Sequence, residues 1–169
     1  KYLFAINGAI VSNPNATTDL IQEIYDEFGL PEKDYYGYNL YLERLASSSQ
    51  TPIEILKILS VMEDKTSGRS LVTALVNNPS VTVEIQRDIF ERGGVEERVV
   101  IAESDGTKNE LLQQILNLDN ATVKEAMVRR RTLIPEFFNQ LFNDGSFSLE
   151  LQLFVRINFG LRLLNIGLC

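Results

Sequence analysis

Along the chain, a carboxylate followed at once by two large apolar residues recurs. Asp19-Leu20-Ile21, Glu54-Ile55-Leu56, Glu110-Leu111-Leu112 and Glu136-Phe137-Phe138 share the form, and Glu84-Ile85-Gln86 keeps all but the last apolar position. Five residues beyond each carboxylate comes another apolar side chain: Ile24, Leu59, Ile89, Ile115 and Leu141. Nine and eight residues before it stand Ile10-Val11, Leu45-Ala46, Leu75-Val76, Ile101-Ala102 and Met127-Val128. The carboxylates are 35, 30, 26 and 26 residues apart. Repetition at such a period predicts an array in which each unit buries its apolar side against its neighbours.

Each unit reads as two helices. Ile55, Leu56 and Leu59, or Leu111, Leu112, Ile115 and Leu116, recur at one-turn spacing and predict the buried stripe of a short amphipathic second helix. "TPIE" (51–54) and "TKNE" (107–110) match the capping box, which predicts Thr51 and Thr107 as helix caps and Pro52 in the first helical position. The first helices carry smaller apolar residues, as in "LVTALV" (71–76) and "VVIA" (99–102). Between the two helices, Asn13-Pro14 and Asn78-Pro79 predict a corner, because the residue before proline is pushed out of the α region and asparagine tolerates helix-ending backbone. Ser48-Ser49, Ser104-Asp105 and Arg130-Arg131 occupy the same register. The expectation is an all-α chain: an α-solenoid of about five stacked two-helix repeats (3–36, 37–66, 67–93, 94–118, 119–145), with the apolar segment 146–169 as a C-terminal capping helix.

"VSNPNATTDLIQEI", "ASSSQTPIEILKIL" and "VNNPSVTVEIQRDI" resemble the hallmark phrase of the leucine-rich repeat variant family, with "AESDGTKNELLQQIL" less similar and "VRRRTLIPEFFNQLF" least. The resemblance covers most of residues 9–143 and implies a solenoid of short paired helices, related in architecture to HEAT and armadillo arrays. Two departures stand out. The first two spacings exceed the mid-twenties usual in the family, and the N-terminal cysteine cluster that holds an iron–sulfur centre in one branch is missing, so no cofactor is carried over.

Charge and composition narrow the function. The chain has 169 residues, 44% hydrophobic and 23% charged, with a net charge of −7. That charge disfavours nucleic-acid binding, which depends on clustered Lys and Arg. It is unevenly spread: residues 1–60 sum to −4, 61–128 to −5 and 129–169 to +2. There is no histidine, and Cys169 is the single cysteine, which excludes intramolecular disulfides, Cys/His zinc sites and histidine acid–base catalysis. Adjacent carboxylates such as Glu96-Glu97 diverge on a helix, and no nucleophile elbow or phosphate-binding glycine loop is present. No enzyme, metal or cofactor is expected from these motifs. Segment 146–169 is interrupted by Glu150, Arg156 and Arg162, so no membrane span is expected, and a cytoplasmic location is the simplest reading. The chain lacks an initiator Met and is expected to be a piece of a longer protein. The sequons Asn15-Ala16-Thr17 and Asn120-Ala121-Thr122 fall where helices should start, which accounts for their residue types without glycosylation.

Two places are candidates for contact with a partner. The insertion 29–41 holds Tyr35, Tyr36, Tyr38 and Tyr41. Tyr38 and Tyr41 read as packing for the next helix, whereas Tyr35 and Tyr36 fit either packing or an interface. Arg129, Arg130 and Arg131 replace the Asn-Pro type of corner. They could grip a phosphate backbone or an acidic partner, or complement the end of the helix before them. The stacked second helices are expected to line the curved binding face, with side chains such as Gln22, Lys57, Arg87 and Gln113. The functional expectation is a non-catalytic scaffold that binds a protein or peptide. The alternatives are a nucleic-acid-binding repeat using the arginines, and an accessory subunit of an enzyme.

Overall fold

The computed structural model describes residues 3–30, 37–62, 68–130, 132, 135–143, 153 and 157. Tyr35, Tyr36, Arg131, most of the second insertion and the capping segment apart from Leu153 and Ile157 lie outside them. The described residues form ten helices and no strand: α1 (Leu3–Val11), α2 (Thr18–Phe28), α3 (Tyr38–Ser47), α4 (Ile53–Ser60), α5 (Gly68–Asn77), α6 (Val83–Arg92), α7 (Val95–Glu103), α8 (Asn109–Leu116), α9 (Ala121–Met127) and α10 (Pro135–Asn143). Each of the five aligned carboxylates is the second residue of an even-numbered helix, where a negative charge faces the unpaired N–H groups of the first turn. The odd-numbered helices pack in sequence, α1 on α3, α3 on α5, α5 on α7 and α7 on α9. The even-numbered helices do the same from α4 through α6 and α8 to α10.

Burial follows the sequence register. Val11, Ala46, Val76, Ala102 and Val128 are buried, as are Ile24, Leu59, Ile89, Ile115 and Leu141. These side chains belong to one continuous hydrophobic cluster. The first unit departs at two aligned positions: Ile10 is only partly buried, and Leu20 is 39% exposed, while Ile55, Ile85, Leu111 and Phe137 at its register are buried.

The corners differ from expectation in chemistry, although not in place. No non-glycine residue has a positive φ among the described residues, so asparagine is not there for left-handed backbone. Its side chain makes the turn instead. Asn13 Oδ1 accepts the Asn15 N–H at 2.9 Å, and Asn78 Oδ1 accepts the Ser80 N–H at 2.8 Å. The capping boxes also require correction. The caps are Pro52 and Lys108, one residue later than Thr51 and Thr107. Both threonines are buried, and their hydroxyls donate back to the preceding helix, Thr51 to Leu45 O at 2.7 Å and Thr107 to Ile101 O at 2.5 Å. Side-chain caps occur instead at Thr17, Thr82 and Asn120. Thr51→Val keeps the shape and removes one buried hydrogen bond, so it should lower unfolding stability by about 1 kcal/mol in a urea titration.

Tyr38 and Tyr41 are buried packing residues, with the Tyr41 ring tilted against Phe4 at 5.4 Å between centroids. The Tyr41 hydroxyl is buried and meets no hydrogen-bond partner among the described residues. Burial, assisted by the nearby Tyr25, pushes its pKa up to about 12. The unfolded chain releases this proton near pH 10 and the folded chain holds it until about 12. Stability is therefore unaffected below pH 10 and falls as pH rises between the two values. Tyr41→Phe should be at least as stable as the parent at pH 7, with a smaller loss of urea midpoint between pH 9 and 12; an equal loss would assign the alkaline effect elsewhere.

Candidate interaction surface

Beginning at the second helix pair, polar side chains reach from each corner into the next. Asn78 Nδ2 donates to Ala46 O at 2.7 Å and Ser48 O at 2.9 Å, and Ser80 Oγ donates to Ser49 O at 2.8 Å. At the next junction Gln86 is fully buried. Its Nε2 donates to Val76 O at 3.0 Å and Gly106 O at 2.9 Å, while its Oε1 accepts the Lys108 N–H at 2.9 Å. Asn77 Oδ1 accepts the Gly106 N–H at 3.1 Å. Gly106 fits because it lacks a side chain: a Cβ there would lie 2.6 Å from the Asn77 Cα.

The last described junction uses Arg130. Its guanidinium donates to Ser104 O and Asp105 O, and Asp105 Oδ1 accepts from the N–H and the hydroxyl of Thr132 at 3.2 and 3.0 Å. Arg130 is 3% exposed, and its burial lowers the guanidinium pKa although Asp105 acts in the opposite direction. This corrects the reading of Arg130 as part of a basic surface. It points inward and holds the carbonyls of the preceding corner, not the end of its own helix. Asn78 and Arg130 occupy one register position and do the same work with different chemistry. Register alone carries a signal for them, and Gln86 likewise stands where the other units have a large apolar residue.

The solvent side is a band of charges and amides. Arg129 is exposed and pairs with Glu103 at 3.5 Å; Arg69 binds the other oxygen of the same carboxylate, so Glu103 at the end of α7 links α5 to the segment just after α9. Glu43 accepts from the Ser70 hydroxyl at 2.5 Å. Between α3 and α5, Glu43, Arg69 and Ser70 border an open groove of about 640 Å³ with Ser47, Thr73, Ala74 and Asn77. On the even-numbered helices, Lys57 and Gln113 are exposed, whereas Gln22 and Arg87 are half-buried. Lys57 pairs with Glu54 at 2.9 Å, Gln22 donates to Asp26 at 2.7 Å and Gln113 to Gln140 at 3.3 Å. The Thr82 side chain, the backbone N–H of Glu84 and, more weakly, the Arg87 charge hold the exposed Glu84 carboxyl below the usual carboxylate range.

Among the described residues no three of His, Cys, Asp and Glu converge as a metal site, and no helix is long and apolar enough to cross a membrane. Compared with known proteins, the chain matches no family model, no curated sequence and no solved structure.

Proposed function

We propose that the chain is an α-solenoid of the leucine-rich repeat variant kind, acting as a non-catalytic scaffold whose even-numbered helices present a continuous face to a protein or peptide. The observation that carries this reading is the order of packing, in which each odd-numbered helix touches the next from α1 to α9 and each even-numbered helix the next from α4 to α10. Such an order supports a row of helix pairs and not helices wrapped around one centre. Gln22, Lys57, Arg87 and Gln113 hold one register position on α2, α4, α6 and α8, which supports reading them as parts of one side.

Nucleic acid is the weaker partner. Two of the three consecutive arginines are engaged internally, Arg130 with backbone carbonyls and Arg129 with Glu103. A patch so reduced offers few charges for phosphate neutralisation.

The test places a photo-crosslinking residue at position 22, 57, 87 or 113 in turn, in native lysate. The scaffold reading expects one protein captured from at least two of these positions. Its affinity for the purified chain should fall at least about tenfold in the Lys57→Glu/Arg87→Glu variant. Absence of a common captured protein would overturn it.

A further inference from the structure

Between the first two corners the polar bridge found at the later junctions is missing among the described residues. Asn78, Gln86 and Arg130 carry those later junctions. At the register of Asn78 and Arg130 the second unit has Ser48, and at the register of Gln86 the first unit has Ile21. The Ser48 hydroxyl stays within its own corner, where it accepts the Gln50 N–H at 3.4 Å. A pocket of about 290 Å³ opens between the two corners instead, with Val11 and Pro14 contributed by the first and Ser48, Ser49 and Gln50 by the second.

Arg44 also lines this pocket, and it breaks the repeat pattern. Its register carries Ala9, Ala74, Val100 and Ala126 in the other units. The side chain is half-buried and lies across Gly8 of α1, where a Cβ would come within 3.1 Å of Arg44 Cδ and 3.5 Å of Nη1. That bare stretch of helix makes room for the guanidinium beside the pocket. Among the described residues the guanidinium meets no carboxylate and no hydrogen-bond acceptor, whereas Arg69 and Arg129 reach Glu103 and Arg130 reaches the Ser104 carbonyl. A guanidinium partly withdrawn from water without a counter-ion favours the arrival of an anion.

We propose that this pocket binds a carboxylate group, with Arg44 as its counter-ion. A carboxylate fits the two parallel N–H groups of one guanidinium and brings a single negative charge. Arg44 is the one charged residue among those described around the pocket, so a phosphate dianion would leave a charge unmatched in a chain of net −7. Further donors stand beside it. The Ser48 hydroxyl keeps its proton to give, and Gln50 uses its Oε1 on the Thr18 hydroxyl at 3.2 Å, which leaves its Nε2. Val11 and Pro14 suit a short aliphatic body behind the carboxylate, and the volume admits only a small acid or the last residue of a peptide. The site lies at the corners and does not draw on the scaffold reading, so failed crosslinks at positions 22, 57, 87 and 113 would leave it standing.

NMR of the whole chain during titration tests the proposal. The probes are butanoate, its neutral counterpart butanamide, inorganic phosphate, and a glycine-glycine-valine peptide with a free or an amidated C-terminus. Butanoate or the free-ended peptide should shift the Arg44 Nε–H resonance and the amides of Ser48, Ser49 and Gln50 saturably. The tighter of the two identifies the source as a small acid or a peptide end. Butanamide and the amidated peptide should leave these resonances in place. Arg44→Gln should weaken binding at least about tenfold. Ser48→Asn supplies the amide that Asn78 brings to the next junction, so it should fill the pocket and cause a similar loss with an unchanged circular dichroism spectrum. No saturable shift with either carboxylate would overturn the inference, as would equal shifts with the neutral amides, tighter binding of phosphate, or affinity indifferent to both variants.

Discussion

Gln86→Leu is expected to lower unfolding stability by about 3–5 kcal/mol. Leucine is close in volume and is the residue found at the same register in Leu56 and Leu112. From the repeat pattern alone the change looks benign. The structure gives the opposite sign, because three backbone groups depend on one amide. Val76 O and Gly106 O would lose their donor and the Lys108 N–H its acceptor. Val76 O lies in a buried site where water cannot substitute, so its desolvation cost is borne in full. Gln86→Glu should fare no better, since a carboxylate would face two carbonyl oxygens. If helix pairs couple only to their neighbours, the damage is local to the junction of the third and fourth pairs. Thermal unfolding should then broaden or split while the two flanks keep their helicity. A leucine variant within about 0.5 kcal/mol of the parent would show that the amide network contributes little.

The second large effect is expected at Gly106. Gly106→Ala would normally favour the folded state by restricting the unfolded chain. Here the added methyl would meet Val76 O and lie 2.6 Å from the Asn77 Cα, and neither is the mobile end of a side chain. Relief requires moving the fourth corner away from α5, which stretches the Gly106–Asn77 and Gln86–Gly106 hydrogen bonds together. A loss of about 3 kcal/mol follows, at the upper end for overpacking because backbone must yield. Asn77→Ala in the same background should recover little, since the clash is with backbone. Gln86→Leu and Gly106→Ala act on one junction, so the double variant should lose less than the sum. Urea titrations of the three variants measure that coupling directly.

Both predictions concern residues whose role the sequence marks only by position. The second residue of the carboxylate-led pair is aliphatic in the first, second and fourth units, so Gln86 is a polar residue in a core place. That mismatch signals a polar task without naming its partners. Arg130 carries the same kind of signal at the corner register, where its company with Arg129 and Arg131 suggested a surface patch instead. Adjacent arginines look alike in a sequence, yet Arg129 stays exposed beside Glu103 while Arg130 is buried against backbone carbonyls. Thr51 and Thr107 show a related ambiguity: a hydroxyl beside a helix start can accept from the first turn or donate to the helix before it. Here the residue after each threonine takes the cap and frees the hydroxyl to donate.

Legible in the chain itself were the all-helical class, the starts of the even-numbered helices at the aligned carboxylates and most of the positions that are buried. All of these follow from the spacing of apolar side chains within a few turns, and such spacing is local and additive. Tertiary structure decided which polar group serves each junction. Asn78, Gln86 and Arg130 bond to carbonyls 32, 20 and 26 residues away at their first or farthest partners, and those acceptors become neighbours only after the helix pairs have packed. A hydrogen bond is directional and fails within an ångström, so its partner depends on how one pair seats on the next, whereas burying a leucine requires only that some neighbour be near.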